Sequence, residues 1–311
     1  MIEAENLTKN YGTFLAIDDV SFKVDSGEIV GFLGPNGAGK TTTMRILTGF
    51  MPPSSGSAKV NNFDIHSQSV AARRHIGYLP ETVPLYKEMT VRSYLKFFGS
   101  LRGMSRKYRD DRIKEVMNTC QVERFANTQI GKLSKGYKQL VGVAQAILHE
   151  PEVLILDEPT IGIDARQVVQ IRQLIKDLGK EHTVILSSHI LPEVSMLCQK
   201  ILIIDQGKII AQDSAATLSA RIKGVLIFEM LIKGTTEDVQ KTLKKVKGVL
   251  KIKTTGEGET RRYQVECEKG QDIRDELASA IVSNGYSLLE LKSTEMSLED
   301  IFLKLTTKER E

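Results

Sequence analysis

The glycine-rich segment Gly34–Thr41 constrains the fold of this 311-residue chain more than any other feature of its sequence. It fits the pattern GxxxxGK[ST], and a strand-like run, Glu28–Leu33, precedes it. Residues Thr41–Leu47 follow with helical spacing. In this strand–loop–helix context the pattern predicts a P-loop, where backbone N–H groups and a helix N-terminus surround phosphate groups. The candidate phosphate-binding residues are Gly34, Pro35, Asn36, Gly37, Ala38, Gly39, Lys40 and Thr41.

Charged and hydroxyl side chains at two places indicate the chemistry of this site. Lys40 would bring a positive charge to the β- and γ-phosphates, and the Thr41 hydroxyl would bind Mg²⁺. Asp157 and Glu158 end the apolar strand Val153–Leu156, so Asp157 is expected beside the magnesium ion. Because adjacent side chains of a strand point in opposite directions, Glu158 is predicted to face a water molecule, as general base or water orienter.

The order of predicted elements indicates an α/β fold followed by a smaller domain. Two buried strands, Val153–Leu156 and Thr183–Leu186, flank a predicted helix, Ala165–Leu178, which is typical of a parallel sheet. A mostly helical stretch, from Val91 to about His149, precedes them. After about residue 220 the predicted order is βαββαβ, which indicates a ferredoxin-like α+β domain.

Composition and charge exclude several classes of protein. The 43 Lys and Arg residues against 39 Asp and Glu residues give a net charge of only +4, so no nucleic-acid partner is expected. Cys120, Cys198 and Cys267 cannot form a complete disulfide framework, and without a CxxC pair no zinc knuckle is expected. The cysteine pattern fits the reducing environment of the cytosol best.

The apolar runs of the sequence are strand-sized, far below the roughly 18 residues of a membrane span. The start of the chain has no apolar signal-peptide core.

A third segment, Leu133–Gln139, reads LSKGYKQ and stands between the P-loop and the Asp157–Glu158 pair. Ser134 is predicted to be the N-cap of a helix, and Gly136 leaves room for the close approach of another group. A capping pattern alone would indicate only a helix start. In this order along the chain, however, the three segments resemble the ATP-binding-cassette (ABC) ATPases, whose signature motif is similar to LSGGQ. The resemblance extends over residues 1–215.

This resemblance implies ATP and Mg²⁺ as cofactors and assigns roles to individual residues. Tyr11 matches the aromatic residue that stacks on adenine, and His189 matches the switch histidine that reaches the γ-phosphate. The loop Ile161–Asp164 would contact the opposite subunit. Ser134 and Gly136 would bind the ATP of a second subunit, and the subunit's own ATP would be bound by Tyr11, the P-loop residues and Thr42. Catalysis would involve Lys40, Glu158 and His189, and magnesium ligation would involve Thr41, Asp157 and Glu81.

The resemblance to ABC ATPases also implies that the chain is divided into two domains. Residues 1–220 would form the nucleotide-binding domain, a RecA-like P-loop core with an antiparallel β subdomain and a helical lobe at about residues 88–150. Residues 221–311 would form an accessory or dimerisation domain, which ends in a predicted helix, Leu298–Leu305, with Ser297 as its N-cap. Together with the segments IGYLPETVPLY, LSKGYKQ and the terminal SLEDIFLKLT, this domain makes the chain similar to the gliding-motility and the drug- and sodium-efflux types of ABC ATPase subunit.

Three positions depart from the pattern of the family. Glu81 stands where most members have glutamine. Its carboxylate keeps an oxygen ligand for Mg²⁺ but removes the amide donors. Leu140 stands where a basic residue usually follows the signature, and Ile161 stands where Ser or Thr usually begins the loop. Either of these changes could slow turnover, but neither removes a phosphate or metal ligand.

One cassette has one P-loop and one signature, so the resemblance implies two cassettes that close around two ATP molecules. The leading interpretation is a cytoplasmic transporter motor, a homodimer held at the inner face of the cell membrane by separate permease subunits. One alternative is a soluble ABC ATPase of the iron–sulfur assembly type, although the βαββαβ domain does not suit it. Another alternative is an ATP-gated scaffold with little turnover. It is favoured only if the residues Glu81, Leu140 and Ile161 reduce ATP hydrolysis to a very low rate.

Overall fold

The structure, a computed structural model, describes residues 1–214, 217, 225–256, 258–268 and 273–294. The chain divides into two compact units, Met1–Ser214 and Ala215–Glu311. Over the described ranges, none of the helices has the length and apolarity that crossing a membrane requires. The predicted final helix, Leu298–Leu305 with Ser297 as its cap, lies outside the described residues.

A six-stranded sheet forms the centre of the first unit. Its strands are β3 (Ile29–Leu33), β6 (Ile76–Leu79), β7 (Val153–Asp157), β8 (Thr183–Ser188), β9 (Lys200–Asp205) and β10 (Lys208–Asp213). They lie in the order β10-β9-β3-β8-β7-β6, and all neighbours are parallel except β10 and β9. Every residue of β3, β7 and β8 is buried, which explains why these strands are continuous apolar runs in the sequence. Their carboxyl ends meet at one edge of the sheet, where the predicted site is expected.

A smaller antiparallel sheet packs against the central one. It consists of β1 (Ile2–Tyr11), β2 (Phe14–Val24), β4 (Ser55–Val60) and β5 (Phe63–Asp64), in the order β2-β1-β4-β5. The two sheets share one hydrophobic core, in which the rings of Phe22 and Phe32 lie 5.6 Å apart. This arrangement confirms the predicted antiparallel β subdomain and puts Tyr11 at the turn between β1 and β2.

Helices connect the strands and form the predicted lobe. They are α1 (Lys40–Leu47), α2 (Ser69–Arg74), α3 (Val91–Leu101), α4 (Arg106–Thr119), α5 (Lys135–Ile147), α6 (Ala165–Leu178) and α7 (Leu191–Leu197), with short 3₁₀ turns at Glu123–Phe125 and Ile130–Lys132. Side-chain caps begin three of them: Thr90 for α3, Ser134 for α5 and Asp164 for α6. The helices α3, α4 and α5 pack together, which confirms the helical lobe.

The second unit has its own sheet and core. Its described elements are β11 (Val225–Lys233), α8 (Thr236–Lys244), β12 (Val249–Thr255), β13 (Thr260–Glu268), α9 (Arg274–Ser283) and β14 (Ser287–Thr294). The strands lie in the order β12-β13-β11-β14, and all neighbours are antiparallel. Phe228, Tyr263 and Leu277 are central to its core. The order of elements is the βαββαβ order expected from the sequence, and assignment to the ferredoxin-like class stays a prediction.

Candidate functional site

The segment Gly34–Thr41, called the glycine loop below, joins β3 to α1. Gly39 has a φ of +107°, and a Cβ atom at this position would collide with Ile17 and with the carbonyl oxygen of Ala16. Only glycine therefore fits at this point, because it alone combines the positive φ with the close approach of another segment. The loop leads directly into the first turn of α1, whose free N–H groups favour an anion.

Lys40, the first residue of α1, is buried with its ammonium group at the centre of the site. Its Nζ atom donates to the carbonyl oxygens of Gly34 at 2.8 Å and Pro35 at 3.1 Å. The same atom lies 3.3 Å from Oε1 of Glu158, and both side chains are 6% exposed. Burial of both partners makes this ion pair sensitive to the loss of either one.

Asp157 and Glu158 both reach the glycine loop, but not by simple alternation along a strand. Strand β7 ends at Asp157, and Glu158 has a φ of +48°, in the left-handed region. As a result, Asp157 Oδ1 accepts a hydrogen bond of 3.3 Å from the Thr41 hydroxyl while Glu158 pairs with Lys40. The sequence-based expectation that both carboxylates stand on the strand is wrong for Glu158, which turns at the strand end.

Ser187 joins the two carboxylate residues and was not among the predicted site residues. Its hydroxyl donates to Asp157 Oδ1 at 2.6 Å and accepts from the N–H of Glu158 at 2.9 Å. Ser187 lies opposite Asp157 in the parallel pairing of β7 and β8. Aligning these two apolar strands by their polar ends would have been the sequence signal for this residue.

His189 follows β8 and contacts the carboxylate oxygen of Glu158 that does not face Lys40. Its Nδ1 atom lies 2.9 Å from Oε2 of Glu158, and its ring is 36% exposed. The Glu158 carboxylate therefore has one oxygen beside a lysine and the other beside a histidine. Such a group can accept a proton or orient a water molecule.

Asp157 is fully buried and has one oxygen that fits a cation. Burial raises the pKa of its carboxyl group, while hydrogen bonds from Ser187 and Thr41 act in the opposite direction. Within the part of the chain that the structure describes, no group hydrogen-bonds to Asp157 Oδ2. No cluster of three or more His, Cys, Asp or Glu that could hold a metal occurs there either. A cation at this oxygen would therefore take its other ligands from Thr41, from Glu81 directly or through water, and from phosphate, which suits Mg²⁺.

A cavity of about 350 Å³ unites most of the predicted nucleotide-binding residues, and a volume of this order is usual for a ligand pocket. It is lined by Tyr11, Phe14, Ala16, Asn36, Gly37, Gly39, Lys40, Thr41, Thr42, Glu81, Glu158 and Ile161. The Tyr11 ring is 45% exposed, and its hydroxyl lies 3.0 Å from the Met51 sulfur. Glu81, one of the three departures from the family pattern, therefore shares the cavity with Thr41.

The signature residues Ser134 and Gly136 do not line this cavity. Ser134 caps α5, and its Oγ atom accepts from the Tyr137 N–H at 3.4 Å and from Nε2 of Gln167 at 3.1 Å. Leu140, where a basic residue is usual, is fully buried in the core. The structure therefore brings together the glycine loop, both carboxylates and the histidine, but keeps the signature apart from them.

Comparisons with known proteins agree with this arrangement. A family model described as ABC transporter matches residues 17–161. The chain is 33% identical over 307 residues to the linearmycin resistance ATP-binding protein LnrL of Bacillus subtilis, with 98% of each chain covered. It is 34% identical over 307 residues to the bacitracin transport ATP-binding protein BcrA of Bacillus licheniformis, covering 98% of this chain and 97% of that protein.

The chain is also similar to solved structures of ATP-binding cassettes. The dimeric post-hydrolysis state of the ATP-binding cassette MJ0796, bound to ADP and Pi, superposes with a TM-score of 0.64 at 25% identity. That match covers 69% of this chain and 98% of the cassette. The similarity to LnrL and BcrA, by contrast, covers nearly the whole chain and therefore includes the second unit.

Proposed function

The chain belongs to the ATP-binding subunits of ABC transporters, which are ATPases, and we propose that it hydrolyses Mg-ATP in the cavity around Lys40. Lys40 and the N–H groups of the glycine loop hold the phosphates, and Tyr11 stacks on the adenine ring. Glu158 accepts a proton from the attacking water molecule as that water forms a bond to the γ-phosphorus. The bond from the γ-phosphorus to the bridging oxygen breaks in the same displacement, so ADP leaves and inorganic phosphate is formed. His189, which contacts the same carboxylate, holds the γ-phosphate in line with the water.

Thr41, Asp157 and Glu81 are the residues that would hold Mg²⁺. The support is the buried Asp157 oxygen without a hydrogen-bond partner among the described residues, together with the bond from Thr41 to the same carboxylate. When bound, the ion would neutralise negative charge on the phosphate groups. Ser187 keeps Asp157 in place for this role by donating to its other oxygen.

The separation of the signature from the cavity is the observation that carries the proposal of a dimer. Ser134 and Gly136 contribute nothing to the cavity of their own chain, so they serve the ATP of a second copy. Two copies then form two sites, each with the glycine loop of one chain and the signature of the other. ATP stabilises the closed pair because its γ-phosphate contacts both chains, and hydrolysis removes that link.

Mixing two inactive variants tests this composite site. We expect Ser134→Arg and Lys40→Ala chains, each inactive alone, to regain ATPase activity when they are mixed. In a mixed dimer, one site joins the intact glycine loop of the first variant to the intact signature of the second, while the other site carries both defects. At most one working site per dimer is therefore restored, which a phosphate-release assay over a series of mixing ratios measures.

The matched control for this experiment is Ser105→Arg. Ser105 is also an exposed serine at a helix N-cap, that of α4, and lies outside the site. This variant should keep wild-type activity. If the two inactive variants show no recovery at any ratio, the site does not form between chains.

A groove in the first unit supports a permease partner. Its volume is about 1000 Å³, and it lies between the helical lobe and the core, with Tyr94, Phe98 and Leu101 on one side and Arg45 on the other. Pro80 and Thr82 line this groove, while Glu81 between them lines the nucleotide cavity. One short segment thus contacts both surfaces and can pass a change at the nucleotide to a partner in the groove.

We expect Leu101→Glu to lose co-purification with membrane permease subunits while ATP binding is unchanged. Leu101 is 66% exposed at the edge of the groove, so the substitution adds a charge to the docking surface without opening the core. Val169→Glu is the matched control, since Val169 is 64% exposed on α6 outside the groove. Equal recovery of permease with both variants would contradict docking at this groove.

Two further parts of the proposal concern the rest of the chain. Docking on permease subunits would hold the protein at the cytoplasmic face of the membrane, and residues 221–311 would act as an accessory or dimerisation domain. The support for a separate role is that this unit has its own core. The soluble iron–sulfur alternative is not favoured, because LnrL and BcrA are named for resistance and transport and match nearly the whole chain.

A further inference from the structure

We propose that Gln167 is a latch on the signature. In the open chain its side chain donates a hydrogen bond to Ser134 and fills the space beside Gly136, and the ATP of the partner must displace it. This inference rests on the proposed composite site. It assigns to Gln167, a residue of α6, a role in setting the ATP concentration at which the two chains form the closed dimer. Neither the glycine loop nor the cavity around Lys40 involves this residue.

The contact with Ser134 is direct. Nε2 of Gln167 donates to Ser134 Oγ at 3.1 Å, and the Tyr137 N–H donates to the same oxygen at 3.4 Å. A serine hydroxyl accepts at most two hydrogen bonds. Both acceptor positions of Ser134 are thus occupied from within the chain.

The Gln167 amide also fills the space beside Gly136. A Cβ atom built on Gly136 would overlap the amide group of Gln167, and Gly136 is buried although it lies in the first turn of α5. A phosphate that contacts both Ser134 and Gly136 needs the volume beside them. The amide and the phosphate cannot share it, so the side chain has to turn away when the partner's ATP arrives.

Only the side chain of Gln167 needs to move. Its backbone N–H is held by the Asp164 carboxylate at 3.1 Å, which caps α6. The side chain, in contrast, is half-buried, and Ser134 is exposed. A rotation about side-chain bonds therefore releases the signature while α6 stays in place.

The contact between Gln167 and Ser134 shifts the equilibrium between the open chain and the closed dimer towards the open chain. A contact that exists in the open chain and is lost in the closed dimer stabilises the open state, and removing it shifts the equilibrium towards closure. The loss of one hydrogen bond of this kind corresponds to a change of about threefold to tenfold in an equilibrium constant. The latch therefore raises the ATP concentration required for dimerisation by that order.

The experiment compares full-length Glu158→Gln chains with and without Gln167→Ala. Because Glu158→Gln stops hydrolysis, the dimer does not dissociate through turnover. Dimer formation is therefore measured at equilibrium, by sedimentation velocity over a series of Mg-ATP concentrations. We expect Gln167→Ala to lower the half-maximal ATP concentration for dimerisation about threefold to tenfold. A loss of folding stability would not produce this gain in association.

Gln170→Ala in the same background is the matched control. Gln170 lies one turn further along α6 and donates to Oε1 of Gln121 at 3.0 Å, away from the signature. It should leave the ATP dependence unchanged. If Gln167→Ala leaves the ATP requirement unchanged or raises it, the latch is wrong. If Glu158→Gln chains do not dimerise with ATP at all, the composite site itself is wrong, and the latch with it.

Discussion

Replacing Glu158 by glutamine is expected to stop ATP hydrolysis almost completely while ATP binding persists. The amide has the shape of the carboxylate but cannot accept a proton from water, and a positioned general base contributes typically 10²–10⁴-fold, so steady-state phosphate release should fall by about that factor. Because the γ-phosphate is then retained, the variant should accumulate as a dimer with ATP. A phosphate-release assay and sedimentation with and without ATP measure the two effects.

A second glutamate–histidine pair provides the matched control. Oε2 of Glu152 lies 2.8 Å from Nδ1 of His75. Glu152 immediately precedes β7, whereas Glu158 follows the other end of the same strand, beside the glycine loop. Glu152→Gln should therefore keep both turnover and the monomer–dimer behaviour of the wild type. Wild-type phosphate release from Glu158→Gln would exclude the role proposed for Glu158.

Replacing Lys40 by alanine is expected to weaken ATP binding about ten- to a hundredfold, because a hydrogen bond to a charged group contributes roughly 1.5–3 kcal/mol. The same substitution leaves the Glu158 carboxylate buried without its cation, which disturbs the base as well. Turnover should therefore be lost even at ATP concentrations that restore binding. Calorimetric titration with a non-hydrolysable ATP analogue and a phosphate-release assay separate the two losses.

Lys200→Ala is the control for that substitution. Lys200 also donates to a backbone carbonyl, that of Lys23 at 2.9 Å, but lies at the start of β9 and not in the cavity. Its loss should affect neither ATP affinity nor turnover. Unchanged affinity and rate in Lys40→Ala would contradict the proposed phosphate site.

The sequence predicted the parts of the fold that follow from local patterns. Continuous apolar runs identified β7 and β8, and helical spacing identified α6 between them. The sequence predicts a turn at Ser55 and Gly56, where the structure begins β4, and it predicts no element for residues 57–79. The elements β4, β5, α2 and β6 are short and draw their stability from the shared core rather than from local periodicity.

The candidate site was predictable to the extent that its residues belong to contiguous motifs. Lys40, Asp157 and Glu158 stand in such motifs, but their mutual contacts depend on strand pairing, and the role of Ser187 depends on its register opposite Asp157. Gln167 lies 33 positions from Ser134 on another helix, and nothing in either segment indicates the bond between them. Tertiary packing alone creates such contacts, so a single sequence does not contain a local signal for them.

Glu158 combines a strained, left-handed backbone with the carboxylate that is proposed as the catalytic base. A side chain in this region costs of order 1–3 kcal/mol relative to a relaxed conformation, and glycine would avoid the cost. Glycine, however, would also remove the carboxylate that faces Lys40 and His189. It would also leave the buried Lys40 ammonium group without its carboxylate partner, and this loss outweighs the relief of backbone strain. A search for thermostable variants should therefore retain glutamate at this position.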